Sequence, residues 1–224
     1  MNGFRYENKY FISYAGYQML RTRLRAAMCM DENTGEDGRY LIRSLYFDDY
    51  RQSGLQDKIE GVETREKFRI RFYDMDDSFI RLESKQKHNM MTKKETARLT
   101  RSQVEQILSG DLWSLYDSDQ PLLRSFYLKS RTRLLRPAIL VDYHREAYVY
   151  EDVRITFDHD LHSGNYNFDL FDRHAMTVPV FPSDRVILEV KYDDDLPYTI
   201  RQLLKPVPAV RCAISKYELC RQFQ

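Results

Sequence analysis

The feature that most constrains the fold is a strict alternation of charged and apolar residues. In residues 65–72 every odd position is basic, while Phe68, Ile70 and Phe72 take even positions. Residues 79–87 also alternate, with charged side chains at one set of positions. A period of two is typical of β-strands, because successive side chains point to opposite faces of a sheet. The pattern therefore predicts strands with one apolar and one charged face.

Three further segments alternate with the same period. Val186, Leu188 and Val190 are predicted to face away from Glu189 and Lys191. Tyr143 and Arg145 are expected to share one face of another strand, and Arg154, Thr156 and Asp158 to share one face of a third.

Between these strands, five segments have the apolar spacing and the end signals of helices. Ser13 is expected to cap the first helix, and Gly110 to follow the end of the second. The predicted helices are residues 13–28, 101–108 and 121–130, one that begins near Pro197, and a last one in which Ser215 and Glu218 have the spacing of a capping box.

The charged faces leave two interpretations open. In one, antiparallel strands simply turn a charged face to water. In the other, an α+β chain closes an eight-stranded antiparallel β-barrel tunnel with a charged interior, and helices cover its apolar wall. A tunnel of cations needs anions to fill it, and Glu7, Glu83 and Glu189 could pair with the cations or hold a divalent metal.

Composition excludes other classes. The chain has 35 Lys+Arg and 34 Asp+Glu, a net charge of +1, which disfavours binding to nucleic acid. No run approaches the ~18 apolar residues of a membrane span, and the N-terminus lacks the pattern of a signal peptide. The scattered Cys29, Cys212 and Cys220 suit reduced thiols, and we interpret them as small buried apolar residues. We expect a single cytoplasmic domain over residues 1–224.

A series of short motifs, in order along almost the whole chain, resembles the VTC branch of the triphosphate tunnel enzymes. Each motif alone is weak, but together they are specific. The opening motif departs from the superfamily pattern, because Arg5 replaces its first acid, and this argues against the branch of small triphosphate hydrolases. The motifs are residues 5–9, 44–49, 58–61, 65–71, 82–85, 143–145, 154–158, 188–191 and 213–216.

The resemblance implies a polyphosphate polymerase that transfers the γ-phosphoryl group of ATP to a growing polyphosphate chain with Mn²⁺ or Mg²⁺. It implies Glu189 as the metal ligand, and Tyr143 and Ser215 as neutral hydrogen-bonding groups. Lys93 and Lys94 compete for one further substrate-binding position. The implied phosphate-binding cations are Lys9, Arg69, Arg71, Lys85, Arg145, Arg154 and Lys216.

Several alternatives stay open at this stage. The same tunnel could hydrolyse triphosphates, with Glu7 or Glu83 orienting water, or it could bind polyphosphate or inositol phosphates without catalysis. We expect no membrane-spanning or phosphate-sensing extension after the domain, and an unidentified membrane partner could exist.

The remaining polar segments are interpreted as ordinary structure. Asp48 and Asp49 are expected to serve in turns or hydrogen bonds, and Trp113 in packing. Loops are predicted over residues 31–38, 158–167 and 193–195, so that His159, Asp160 and His162 are interpreted as solvated residues rather than metal ligands.

Overall fold

The structure is a computed structural model that describes residues 6–32, 34–35, 37–88 and 91–224. Arg5, at the start of the first motif, lies outside the described residues, as do Asn33 and Glu36 of the first predicted loop. The fold is of the mixed α+β class, with a large antiparallel sheet and seven helices in the described part of the chain.

The strands are β1 (Tyr6–Ser13), β2 (Cys29–Met30), β3 (Tyr40–Asp48), β4 (Thr64–Tyr73), β5 (Asp76–His88), β6 (Met91–Leu99), β7 (Arg136–Tyr150), β8 (Val153–Ser163), β9 (Val178–Pro179), β10 (Arg185–Tyr192) and β11 (Val210–Arg211). The helices are α1 (Tyr14–Ala27), α2 (Ser53–Ile59), α3 (Arg101–Ser109), α4 (Trp113–Tyr116), α5 (Pro121–Arg133), α6 (Tyr198–Leu204) and α7 (Lys216–Arg221).

All five predicted helices are present, and the predicted end signals of α1 and α3 are confirmed. Ser13 caps α1, because its hydroxyl oxygen accepts the backbone N–H of Gly16 at 3.1 Å. Gly110 ends α3 with a φ of 87°, a left-handed conformation that glycine adopts without strain. The short helices α2 and α4 lack a clear periodic signal and were not predicted.

The chain divides into two compact units. Unit 1 comprises residues 1–41, 143–162 and 179–216, and its strands pair in the order β11-β1-β10-β8-β7, with β2 beside β7. The β1–β10 and β10–β8 pairs are antiparallel, with Lys9 opposite Glu189 and Glu189 opposite Thr156.

The core of unit 1 lies between helices and one face of its strands. Leu20 and Leu24 of α1 and Ile200 of α6 are fully buried against the strands. The strand residues of this core are Ile12, Val153, Ile155, Phe157, Val186, Leu188 and Val190. The predicted alternation is confirmed, because the same strands carry the charged residues at the intervening positions.

Unit 2 comprises residues 42–142, 163–178 and 217–224, and its strands pair in the order β7-β3-β4-β5-β6. The β4–β5 and β5–β6 pairs are antiparallel ladders in which Arg69 stands opposite Glu83. Pairing within each unit does not by itself close a barrel. The closed eight-stranded barrel and the single domain over residues 1–224 therefore stay predictions.

The core of unit 2 repeats the arrangement of unit 1. Phe126 of α5 packs edge-on against Phe47 of β3 and Phe68 of β4, with ring centroids 5.2 Å apart in both pairs. Val104 and Ile107 of α3 add to the same cluster. The apolar positions of the alternating segment 65–72 thus face helices, as predicted.

Asp48 and Asp49 have the structural role predicted for them. Buried Asp48 accepts the backbone N–H of Gly54 at 2.9 Å and the hydroxyl of Tyr217. A β-carbon at position 54 would lie only 3.0 Å from the Asp48 carboxylate, so this close approach requires glycine. Asp49 accepts the backbone N–H of Ser53 at 3.0 Å. The two carboxylates therefore hold the start of α2.

Three interpretations from the sequence are corrected. Residues 158–163 are not a loop, because β8 continues to Ser163, and only the segment after it is irregular. Trp113 is exposed rather than packed in a core, and its ring lies against the rings of Tyr116 and Tyr127. Of the three thiols, Cys220 is buried, but Cys29 is exposed.

Within the described ranges, the helices are all too short or too polar to cross a membrane.

Candidate functional site

Charged side chains of unit 1 meet on the strand face opposite its apolar core. Lys9 Nζ lies 2.9 Å from a Glu7 oxygen and 3.3 Å from Oε2 of Glu189. Lys191 Nζ lies 2.6 Å from Oε1 of Glu189. The ladder sets Lys9 opposite Glu189 and Glu7 opposite Lys191, so that positive and negative charges alternate across the two strands. We call this strand face, with Arg145, Arg154 and Asp158, the charged face of unit 1.

Glu189 is buried, with 4% of its surface exposed. Burial by itself raises the pKa of its carboxyl, but the surrounding cations, foremost Lys9 and Lys191, outweigh burial and hold the pKa well below its usual range. The carboxylate therefore stays ionised at neutral pH, which is the form that binds a metal.

Asp158 on β8 anchors two cations that the resemblance assigns to phosphate binding. Arg145 donates to both carboxylate oxygens, at 2.6 and 2.8 Å, and Lys216 Nζ lies 2.5 Å from Oδ2. Both cations also lie against the ring of Tyr143, with Lys216 Nζ 4.6 Å from the centroid. Burial acts to raise the pKa of Asp158, but Arg145 and Lys216 lower it far more. The sequence analysis did not assign this positioning role to Asp158.

Arg154 is the predicted cation of β8. Its Nη1 lies 2.9 Å from the carboxylate of Asp31, and its Nη2 donates to the hydroxyl of Tyr40 at 3.3 Å. Arg154 stands opposite Lys191 in the β8–β10 ladder, which places it on the charged face of unit 1.

The second group of predicted cations lies on the strands of unit 2. Arg69 contacts Oε2 of Glu83 through Nη2 at 2.5 Å and Nε at 2.7 Å, and its Nη1 donates to Tyr46 at 2.8 Å. Lys94 Nζ lies 2.6 Å from Oε1 of the same Glu83. Arg71 is buried and donates to the hydroxyl of Ser44 at 2.9 Å. We call this strand face the charged face of unit 2.

Glu83 is the only acid on β5 that is buried, at 2% exposure, within the described part of that strand. Burial acts to raise its pKa, but Arg69, Arg71 and Lys94 lower it well beyond that. Glu83 therefore remains a negative charge among several positive ones, and it is the counter-ion of this face.

Like charges stand directly opposite one another on either side of the Arg69–Glu83 pair. The ladders set Lys67 opposite Lys85, and Lys85 opposite Lys94. On the same face, Arg71 stands opposite Arg81. Directly opposed like charges destabilise a sheet, and a bound polyanion would remove the repulsion. The arrangement therefore favours an anion as the natural occupant of this face.

Lys67 is a member of this row that the sequence analysis did not select. Burial lowers the pKa of its ammonium group to about 8, and its Nζ lies 4.4 Å above the ring centroid of Tyr217. The alternation of residues 65–72 had placed Lys67 on the correct face, but only the tertiary contacts reveal its desolvation.

The structure separates Lys93 from Lys94. Lys94 lies beside Glu83 on the charged face, whereas Lys93 pairs with Glu95 at 2.9 Å and stands opposite Gln86. Of the other predicted residues, Lys85 is exposed on β5, and Ser215 directly precedes α7 beside Lys216.

The surroundings of Glu189 fit a divalent cation. Its Oε1 is paired with Lys191 Nζ at 2.6 Å, and no further donor in the described ranges reaches it. Thr156 stands opposite Glu189 in the ladder, and its buried hydroxyl has no hydrogen-bond partner in the ranges described. Carboxylate and hydroxyl oxygens are ligands suited to Mg²⁺ and Mn²⁺.

Comparison with known families gives one match, which covers nearly the whole chain. The model of the VTC domain matches residues 4–223. A search of curated proteins finds no match.

Comparison with solved structures indicates the same type of fold. Protein bh2851 of Bacillus halodurans, named as a candidate adenylate cyclase, superposes with a TM-score of 0.53 at 15% identity, over 84% of this chain and 80% of that chain. Protein PH1819 of Pyrococcus horikoshii OT3 superposes with a TM-score of 0.48 at 11% identity, over 98% of this chain and 100% of that chain. At 15% identity, the likeness to bh2851 concerns the fold alone.

Proposed function

The chain belongs to the VTC domain family of the triphosphate tunnel enzymes, and from this premise we propose that it is a metal-dependent polyphosphate polymerase. The reaction is the transfer of the γ-phosphoryl group of ATP to the terminal oxygen of a growing polyphosphate chain, with release of ADP. The proposal includes the closed eight-stranded barrel with its charged interior, the single domain and the cytoplasmic location.

The observation that carries the proposal is the excess of cations around a few buried acids. Glu83 and Glu189 each contact two basic side chains, and Asp158 contacts two more. Two cations that share one buried carboxylate, as Arg69 and Lys94 share Glu83 and as Arg145 and Lys216 share Asp158, retain unbalanced positive charge. A polyphosphate supplies the missing negative charge at regular intervals.

The basic residues offer two kinds of contact to phosphate, one from arginine and one from lysine. Arg69, Arg71 and Arg145 offer planar guanidinium groups that bind two phosphate oxygens at once, whereas Lys side chains offer compact single charges. Arg69 and Arg71 project from one side of β4, so they are ~6–7 Å apart along the strand and could hold neighbouring phosphate groups. We assign these residues, with Lys9, Lys85, Arg154 and Lys216, to substrate binding and charge neutralisation.

The neutral groups and the metal complete the proposed site. Tyr143 and Ser215 would donate hydrogen bonds to phosphate oxygens, and Lys94 is favoured over Lys93 because it contacts Glu83. Glu189 would hold Mn²⁺ or Mg²⁺, with the Thr156 hydroxyl beside it. When bound, the metal neutralises charge on phosphate oxygens and thereby assists departure of the leaving group.

The acid contacts favour phosphate over water as the acceptor. A water nucleophile needs an orienting base, whereas the terminal oxygen of a phosphate chain is already anionic. The two acids that could orient water, Glu7 and Glu83, are both engaged by basic side chains. Hydrolysis of triphosphates remains the alternative that the experiment must separate.

The test is product analysis after incubation with ATP and Mn²⁺ on a gel stained for polyphosphate. Wild-type protein is expected to give a metal-dependent ladder, and Glu189→Ala none. Glu105→Ala, which removes an exposed glutamate of α3, is the matched control and should give the wild-type ladder. Phosphate release without a ladder would replace the polymerase by a triphosphatase. Tight tripolyphosphate binding without turnover would replace it by a binding module.

A further inference from the structure

A separate group of metal-ligating side chains lies on the hairpin of β7 and β8. His144 on β7 and His159 and Asp160 on β8 each offer one ligand atom, and these atoms lie within 4.8 Å of one another. Oδ2 of Asp160 is 3.0 Å from Nδ1 of His159 and 3.5 Å from Nδ1 of His144. The two imidazole rings are stacked, with centroids 5.7 Å apart.

The topology explains how residues distant in sequence meet. β7 ends at Tyr150 and β8 begins at Val153, so a two-residue turn joins the strands. His144 and His159 are equally distant from this turn, and antiparallel pairing sets such residues side by side. Because His144 is the direct neighbour of Arg145, strand alternation points it away from the charged face of unit 1.

The backbone conformation at Asp160 brings its carboxylate into the cluster. In a regular strand, the neighbours His159 and Asp160 would point to opposite faces. Asp160 instead has a φ of 51°, a left-handed conformation that is uncommon for a residue with a side chain, and its carboxylate contacts His159. Such a conformation is strained and tends to persist at functional positions.

The charges and the exposure suit a ligand from solution. An aspartate carboxylate is ionised at neutral pH, and the two imidazoles beside it are neutral-nitrogen ligands when deprotonated. The side chains of Asp160 and His144 are 46% and 40% exposed, so an ion could reach them. Nε2 of His159 is buried and has no hydrogen-bond partner in the described ranges.

We propose that His144, His159 and Asp160 form a second metal site, which takes one divalent transition metal of borderline softness, such as Zn²⁺, with an open position for water. Two imidazoles and one carboxylate are a ligand set that zinc prefers. A tetrahedral zinc with bonds of ~2.0–2.1 Å would separate its ligand atoms by roughly 3.4 Å, close to the two distances given above. Glu189 and Thr156 offer only oxygen atoms, so the two sites select different metals.

The consequence for the fold is a cross-link between β7 and β8. The ring of Tyr17 from α1 lies 5.8 Å from the ring of His159, so a metal held there would also fix the strand surface on which α1 packs. A metal that binds only the folded protein raises its thermal stability, with no requirement for any effect on phosphoryl transfer.

The experiment uses untagged full-length protein that carries Glu189→Ala, so that the proposed oxygen site is removed. Co²⁺ is the probe, because tetrahedral nitrogen and oxygen ligation gives it a strong visible absorption. We expect one equivalent of Co²⁺ to bind, Zn²⁺ to displace it, and excess Mg²⁺ to leave it bound. Zn²⁺ should raise the melting temperature of the same protein.

Further variants decide whether these three residues are the ligands. His144→Ala and Asp160→Asn, both at partly exposed side chains, should lose the absorption and the Zn²⁺-dependent stabilisation. His174→Ala removes an exposed histidine elsewhere and should retain both. Absence of Co²⁺ uptake, or equal uptake by folded His144→Ala and Asp160→Asn proteins, would overturn the proposal. Loss of uptake in His174→Ala would also overturn it.

Discussion

At the scale of single residues, the two charged faces are built around buried carboxylates rather than around free cations. Glu83 contacts Arg69 and Lys94, and Asp158 contacts Arg145 and Lys216. A carboxylate held in this way orients its cations and reduces their repulsion before any ligand arrives. The same acids therefore raise the stability of the ligand-free protein and lower its affinity for anions.

Lys67 should make anion binding depend on pH just above neutrality. Burial lowers its pKa to about 8, so the free protein carries the charge below that pH and loses it above. Anions bind the protonated form, so affinity for tripolyphosphate is expected to fall roughly tenfold from about pH 7 to about pH 9. Calorimetric titration measures the dissociation constant at each pH.

Lys67→Met provides the control for this pH dependence. The variant is expected to bind tripolyphosphate more weakly than wild type at about pH 7 and to show a much flatter profile above it. It should also be more stable than the free wild type at neutral pH, because a desolvated ammonium is removed. A wild-type affinity that does not change through pH 8 would contradict this role of Lys67.

Glu83→Gln is expected to change the stability of the protein and its affinity for tripolyphosphate in opposite directions. Loss of the buried charge leaves Arg69 and Lys94 without their partner, so the free energy of unfolding is expected to fall by roughly 1–3 kcal/mol. Affinity for tripolyphosphate should rise, because the face becomes more positive. Chemical denaturation and titration measure the two effects.

Acid stability provides a second measurement on the same variant. The pKa of Glu83 is lower in the folded protein than its ordinary value of 4.5 in the unfolded chain. The ionised carboxylate therefore stabilises the fold fully at pH values above 4.5, and this stabilisation is lost as the pH falls towards the pKa of the folded protein. Wild type should therefore lose more stability than Glu83→Gln in that range. Glu95→Gln, on the exposed Lys93 pair, is the matched control. Weaker tripolyphosphate binding by Glu83→Gln would contradict the counter-ion role.

At the scale of elements, local signals in the sequence predict most helices and the charged strands. Period-two alternation identified β4, β5, β8 and β10, and cap residues identified the ends of α1 and α3. The sequence could not show that β8 continues to Ser163, because its polar residues resemble a loop. The sequence also did not predict that His144 lies beside His159, because this contact depends on the pairing of β7 with β8.

The candidate site was predictable to a similar extent. Several of the selected residues on each charged strand face lie beside one another, and Lys93 and Lys94 became distinguishable only through the ladder to β5. Partners such as buried Asp158, buried Thr156 and half-buried Lys67 were not selected, because their importance arises from desolvation and from contacts across strands. Such tertiary effects have no local signal in the chain.

The cap of α1 gives a prediction at the element scale. Ser13→Ala removes the hydroxyl that accepts the N–H of Gly16, and it should lower the free energy of unfolding by about 1 kcal/mol. Ser102→Ala, at an exposed position inside α3, is the control and should change stability little. Chemical denaturation measures both. Equal stability of the Ser13→Ala variant and wild type would contradict the cap.

At the scale of the whole molecule, each unit has its own apolar core and its own charged face. A single domain over residues 1–224 predicts that the two units unfold together. Leu24→Ala in the core of unit 1 and Phe126→Ala in that of unit 2 should each cost roughly 2–5 kcal/mol. Both should lower the temperature of one shared calorimetric transition. Two transitions, each shifted by only one variant, would contradict a single domain.

The central claim is that the acceptor of the phosphoryl group is a phosphate chain rather than water. The most direct measurement follows γ-labelled ATP in the presence of Mn²⁺ and a short polyphosphate primer. The account predicts that the label enters chains longer than the primer, with one ADP formed for each phosphate added. Label that appears only as free phosphate, with the primer unextended, would contradict it.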